Sequence, residues 1–197
     1  MTDPERKAVP MGRPTVPDLT WWQADPDSWE LLSFDGRYDK EGLPYDAGWG
    51  DREEVLEMLV ASPGPYSADF ARHLLRQEIL GHHHAWGYSD QIGMAALLVA
   101  EQRRMEDIWL LWEAKSVSFD TYCGLPEVFL VANGLARTLE YVRAGDGPGR
   151  EGLLEFLGEM SPVSDEEIAE KLTRIRHYYG ELKALREEET SESVSVG

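Results

Sequence analysis

The chain has 197 residues, 37 of them acidic and 19 basic, for a formal net charge of −18. A chain of this length buries roughly 70% of its unfolded surface and fits one domain. Its single Cys can close no internal disulfide and excludes a zinc site needing two thiolates, while its negative charge opposes nucleic-acid phosphates and anionic lipid heads.

No basic stripe of the kind a nucleic-acid binder carries is visible. No run of about 18 uncharged apolar residues occurs, so no membrane span is expected. The first twenty residues carry four Pro and mixed charge without an apolar run, which is not a secretory pattern. The expected setting is cytoplasmic. The acidity is uneven: residues 23–59 hold eleven acids and three bases, whereas residues 102–150 hold seven and six.

In chain order, residues 1–19 read as a flexible arm, because Pro4, Pro10, Pro14 and Pro17 forbid a regular helix. Residues 20–50 place Trp21, Trp22, Trp29, Phe34, Tyr38, Tyr45 and Trp49 among Gly, Pro and Asp. So many rings are expected to wrap onto a helical body. DPDSWELL suits a short helix capped near Asp27 or Ser28, and FDGRYDKEGLPYDAGWG reads as turns.

From residue 51 helices dominate. Asp51 can cap a helix through Val55, Leu56, Leu59 and Val60, which Ser62-Pro63-Gly64-Pro65 ends. Ser67 opens the next, with Phe70, Leu74, Leu75 and Ile79 on one face. That helix ends around Gly81 or runs on through His82–His84. Ser89 caps IGMAALLVA, which is apolar nearly all round and is expected to be central. MEDIWLLWEAK follows after a short turn, as in an antiparallel hairpin. SVSFDTYCG breaks the pattern. Pro126 then suits the first turn of a helix over VFLVANGLARTLEYVR. AGDGPG ends it, and EGLLEFLGEM is amphipathic. Ser164–Glu167 fits a capping box for a helix whose stripe runs Ile168, Leu172, Ile175, Tyr179, Leu182.

The fold class is therefore all-α: six or seven helices in antiparallel hairpins, as a helical bundle or a short α-solenoid-like stack. No convincing strand is visible. A single α-helical domain is expected over 20–190, with an irregular aromatic, acidic wrapping segment at 20–50, the helical body at 51–190 and a flexible tail at 191–197.

Met94, Ala95, Leu98, Leu111 and Ala114 occupy positions that make the hairpin from Gln91 to Phe119 similar to one tetratricopeptide-type repeat. Asp107 stands where that pattern has a small residue, and Phe119 where it has Pro. A shift of one period puts Tyr141 where a small residue belongs, so the repeat does not recur. The resemblance implies stacked helical hairpins and carries no function.

Sequence chemistry offers few sites. Three consecutive His point about 100° apart on a helix, so His82, His83 and His84 cannot converge on one ion, and no metal site is expected. DGRYDKEG (Asp35, Asp39, Glu41) resembles part of a calcium loop, but Arg37, Lys40 and Asp46 stand where the loop needs a ligand, Gly and Glu. Cys123 precedes a helix start, which favours a thiolate, yet a lone Cys is usually a small buried hydrophobe. No catalytic motif and no cofactor signature is present.

Three readings follow. The first is a non-enzymatic, acidic protein-binding module, such as an inhibitor or immunity-type protein neutralising a basic partner, with Asp35, Asp39 and Glu41 as its charges and Trp21 and Trp22 as anchors. The second is an enzyme or small-ligand-binding protein with an all-α pocket around His83, Lys115, Asp120 and Cys123. The third is a homodimer through the stripe at 164–186.

Overall fold

Helices form where the sequence supplies caps and apolar faces, beginning with α1 (Leu19–Ala24), whose first turn is held by Asp18 Oδ1 accepting from Trp21 N at 2.8 Å. The computed structural model describes residues 18–38, 40–42, 44–62, 64–84 and 87–195, with side chains as far as Leu182. The expected arm thus lies outside the described residues except for Asp18 and Leu19. A 3₁₀ turn, Pro26–Leu32, follows, capped by Asp25 and burying Ser28 and Leu32.

The aromatic segment meets the helical body. Trp22 is buried, Trp21 meets it edge-on, and Trp29 packs on Phe70 with ring centroids 5.1 Å apart. The Trp29 indole donates to Trp22 O at 2.8 Å, so the polar handle of the ring is satisfied. Beyond it, β1 (Arg37–Tyr38) pairs antiparallel with β2 (Pro44–Tyr45). This corrects the reading of the stretch as turns alone. Strands two residues long leave no alternating pattern for a sequence to display.

α2 (Trp49–Ala61) starts three residues earlier than a cap at Asp51 implies, because Gly48 takes the N-cap position. It buries Val55, Leu56, Leu59 and Val60, and also Arg52. α3 (Ala68–His82) is capped by Ser67, whose Oγ accepts from Phe70 N, and it buries the expected apolar face together with Glu78 and His82. In α4 (Asp90–Glu101) every residue from Gln91 to Ala100 is buried. A helix with no polar face must be surrounded. Its neighbours are α2, α3, α5 (Ile108–Ser116) and α9 (Asp165–Ser195).

Two stretches differ from their sequence reading. SVSFDTYCG is not a simple break: Ser118 and Thr121 form a reciprocal capping box that opens the short α6 (Phe119–Gly124). Conversely, the helix expected from Pro126 is divided. A 3₁₀ turn covers Glu127–Phe129, the buried run Leu130–Ala132 follows, and α7 (Leu135–Ala144) begins only after Gly134. Gly134 has φ +93°, a conformation closed to L side chains, and this interrupts the helix.

α8 (Arg150–Glu159) packs on α7. The glycines between them do more than end a helix. A Cβ at Gly147 would overlap the Trp109 indole, so the loop can cross the ring only as glycine. α9 presents Ile168, Leu172 and Tyr179, all buried, toward the core. Arg176 fastens this helix. Its guanidinium holds Glu101 through both carboxylate oxygens, at 2.8 and 2.6 Å, and caps the carbonyls of Leu59 and Val60 at the end of α2. No helix among the described residues is long and apolar enough to cross a membrane.

Candidate functional site

A concavity lies where the N-terminus of α2 meets the C-terminus of α3. Two charged residues on apolar stripes build its floor. Arg52 falls three and four residues before Val55 and Leu56, and Glu78 four residues after Leu74, so helical geometry carries both side chains inward with the core residues. There they pair: Arg52 Nε donates to Glu78 Oε1 at 2.7 Å. Arg52 Nη1 donates to Leu32 O at 3.1 Å and Nη2 to Asp46 Oδ2 at 2.5 Å. Asp46 is itself held by Gly48 N on its other oxygen. With the Gln91 amide oriented to satisfy its neighbours, its nitrogen donates to Glu78 Oε1 and its oxygen accepts from Trp49 Nε1, both at 3.1 Å.

This network is nearly dry. The Arg52 side chain is 1% exposed and that of Glu78 is 3% exposed. Burial pushes the Glu78 carboxyl above the usual range against the pull of Arg52. Burial also works against the Arg52 guanidinium, but its hydrogen bond to Asp46 and the charge of Glu78 hold it above its ordinary value. Glu78 Oε1 serves Arg52 and Gln91. Its second oxygen accepts no hydrogen bond from a described residue, and the side chain lines the cleft.

Above this floor stand rings. Phe34, Tyr45, Trp49 and Tyr88 line a cleft of about 340 Å³, with His82 and Ser89 at its side. Tyr45 and Trp49 are half exposed at the mouth. Phe34 stacks on His84, which ties the wall to the end of α3. His82 Nδ1 lies 2.8 Å from the Glu78 carbonyl, so that nitrogen carries the proton, and Nε2 faces Ser89 Oγ at 3.4 Å. Ser89 precedes α4 but does not cap it with its side chain. Tyr88 also lines a second, more open groove of about 550 Å³ and meets Tyr179 hydroxyl to hydroxyl at 3.0 Å. The close crossing of these two tyrosines requires Gly93, where a Cβ would overlap both hydroxyls.

The residues singled out from sequence lie elsewhere. Trp22 is buried and Trp21 partly so. Asp35 shapes its own turn, accepting from Arg37 N, Arg37 Nε and Ala47 N. Its carboxyl sits below the usual range because these hydrogen bonds outweigh burial. Glu41 is exposed, and Asp39 lies outside the described residues.

The other four residues do not converge on the cleft. His83 is exposed at the end of α3, and Cys123 is exposed on α6. Asp120 Oδ2 accepts from Gly87 N. Lys115 is buried, donating to the carbonyls of Tyr122 and Leu125 at 2.7 and 2.8 Å with the Tyr122 and Phe156 rings alongside. Burial lowers its pKa, but both bonds serve to close the end of α6. None of these four lines the cleft at Arg52. Of the three adjacent His, His82 is buried while His83 and His84 are exposed, and the described residues contain no cluster able to hold a metal.

The sequence signal for Arg52 and Glu78 is their placement on the helix faces. Each is a charge set inside an apolar stripe, and a buried charge needs a partner. Comparison with protein families, with curated proteins and with solved structures finds no match to this chain.

Proposed function

We propose that this protein is a binding protein that takes a small ligand in the cleft between α2 and α3. The carrying observation is the convergence of four aromatic rings and the Glu78 carboxyl, one oxygen of which accepts no hydrogen bond from a described residue, on a single concavity. Apolar walls with a few placed polar groups are the general anatomy of a ligand site. The volume of about 340 Å³ lies at the lower end of the roughly 300–1,000 Å³ range of such sites, which suits a small molecule. The buried ion pair beneath supplies rigidity, since neither charge can leave its partner without a large desolvation cost. Native mass spectrometry of protein purified gently from its source cells tests this. A small-molecule mass is expected on the parent and is lost on Trp49→Ala. A ligand retained equally by that variant places binding elsewhere, and a parent that carries none contradicts the reading.

A second reading, docking of a basic protein partner, is favoured by one observation. Tyr38 and Tyr45 are 60% and 50% exposed on the small hairpin that follows Asp35, within the most acidic part of the chain. Exposed tyrosines beside carboxylates suit a partner that presents Lys or Arg. This reading predicts that captured partner dissociates as salt rises and that Glu41→Lys with Tyr38→Ala weakens capture by about tenfold or more. Binding unchanged by either treatment would remove the hairpin from the interface.

A further inference from the structure

Resting on the reading of the cleft as a ligand site, we infer that its ligand is a small organic cation, an alkyl- or quaternary ammonium group. Three features of the cleft lead there. First, among the described lining residues two carboxyl groups, Asp46 and Glu78, stand against one guanidinium, Arg52, with no Lys or second Arg. Second, Arg52 is already committed through Nε, Nη1 and Nη2, whereas Glu78 lines the cleft and one of its oxygens has no donor among the described residues. An anion would meet two carboxylates and a guanidinium already in use. A cation would supply the missing partner to Glu78. Third, the walls are aromatic. Ring faces carry negative potential and hold desolvated cations, and quaternary ammonium groups are bound in this way. With the Gln91 amide so oriented, the Trp49 N–H donates to Gln91 Oε1, and the half-exposed ring lines the cleft. The Arg37 guanidinium, paired with Asp35, lies 5.2 Å from the Tyr45 ring centre, a cation–ring contact at the edge of this wall.

Two sources share this chemistry: a free small cation and the lysine side chain of a peptide. The test therefore titrates the full chain, by calorimetry and Trp fluorescence, with choline, with its uncharged carbon isostere 3,3-dimethylbutan-1-ol, and with Nα-acetyl-lysine methylamide. At least one cation is expected to bind saturably and about tenfold or more tighter than the isostere, as a desolvated cation–π site requires. Preference for choline assigns a free cation, and preference for the lysine derivative assigns a peptide. Glu78→Gln is expected to weaken the cation about fivefold or more with little effect on the isostere. Because that variant disturbs the buried Arg52 pair, Tyr45→Ala provides a second test at a half-exposed position outside the pair and is expected to weaken the cation likewise. Equal binding of choline and its isostere would overturn the cation assignment and leave the cleft as a ligand site. Failure of every probe to bind, together with no cleft-dependent ligand in the native mass spectrum, would overturn both.

Discussion

Arg52→Leu is expected to destabilise the protein by about 3–5 kcal/mol, the cost of leaving a buried charge without its partner. Arg52 is 1% exposed and satisfies Glu78, Asp46 and the Leu32 carbonyl together. Without it, Glu78 remains in a dry site between α2 and α3, with only Gln91 as a donor. The carboxyl must then be buried charged or take up a proton. The double variant Arg52→Leu with Glu78→Leu removes both charges and fills the space with apolar side chains, so it is expected to recover most of the loss. Urea denaturation followed by far-UV circular dichroism measures all three proteins. A loss below about 1 kcal/mol for the single variant would mean that water reaches the pair, since solvated pairs contribute no more than that. Recovery of stability without recovery of ligand binding would separate the two roles of this network. The fold needs the site to be filled, whereas the ligand needs Glu78.

Leu172→Glu is expected to cost more than about 4 kcal/mol, because it removes a buried aliphatic side chain and sets a charge in its place. As a dimer seam, the stripe from Ile168 to Leu182 would respond to this change by dissociating into folded monomers. The structure assigns the stripe to the chain's own core. Ile168 and Leu172 are buried, Ile175 packs beside them, and α9 lies against α2 and α4. Arg176, one turn after Leu172, holds the helix in that position through Glu101 and the end of α2. The expected result is a melting transition shifted down by many degrees. Analytical ultracentrifugation that instead shows a folded monomer formed from a parent dimer would return the stripe to an interface between copies.

The helical class was legible because apolar spacing and caps act locally. Ser67 caps α3, the face Phe70, Leu74, Leu75, Ile79 is buried, and IGMAALLVA forms the centre, all as their residues require. What was not legible depends on distant contacts. Leu125 and Val128 to Ala132 are buried almost continuously, so they show no period from which a helix break could be read. The two short strands are defined by pairing across a loop. The cleft was legible only in half. Arg52 and Glu78 stand out as charges on apolar stripes, but nothing in the sequence says that they face each other across 26 residues. Lys115, His83, Asp120 and Cys123 carry reactive groups, and such groups attract notice in a sequence. Lys115 and Asp120, however, are committed to backbone partners.

The most direct measurement is a ¹⁵N–¹H NMR titration of the full chain with a panel of small amines, alcohols and carboxylates. It should follow the Trp49 indole N–H, which lies in the cleft wall and is held by Gln91. The expected result is that cationic members shift this signal and the Gly48, Gly87 and Ser89 amides together, with one saturation curve. Shifts confined to the groove at Tyr178, or no saturable shift from any member, would contradict the assignment of this cleft as the functional site.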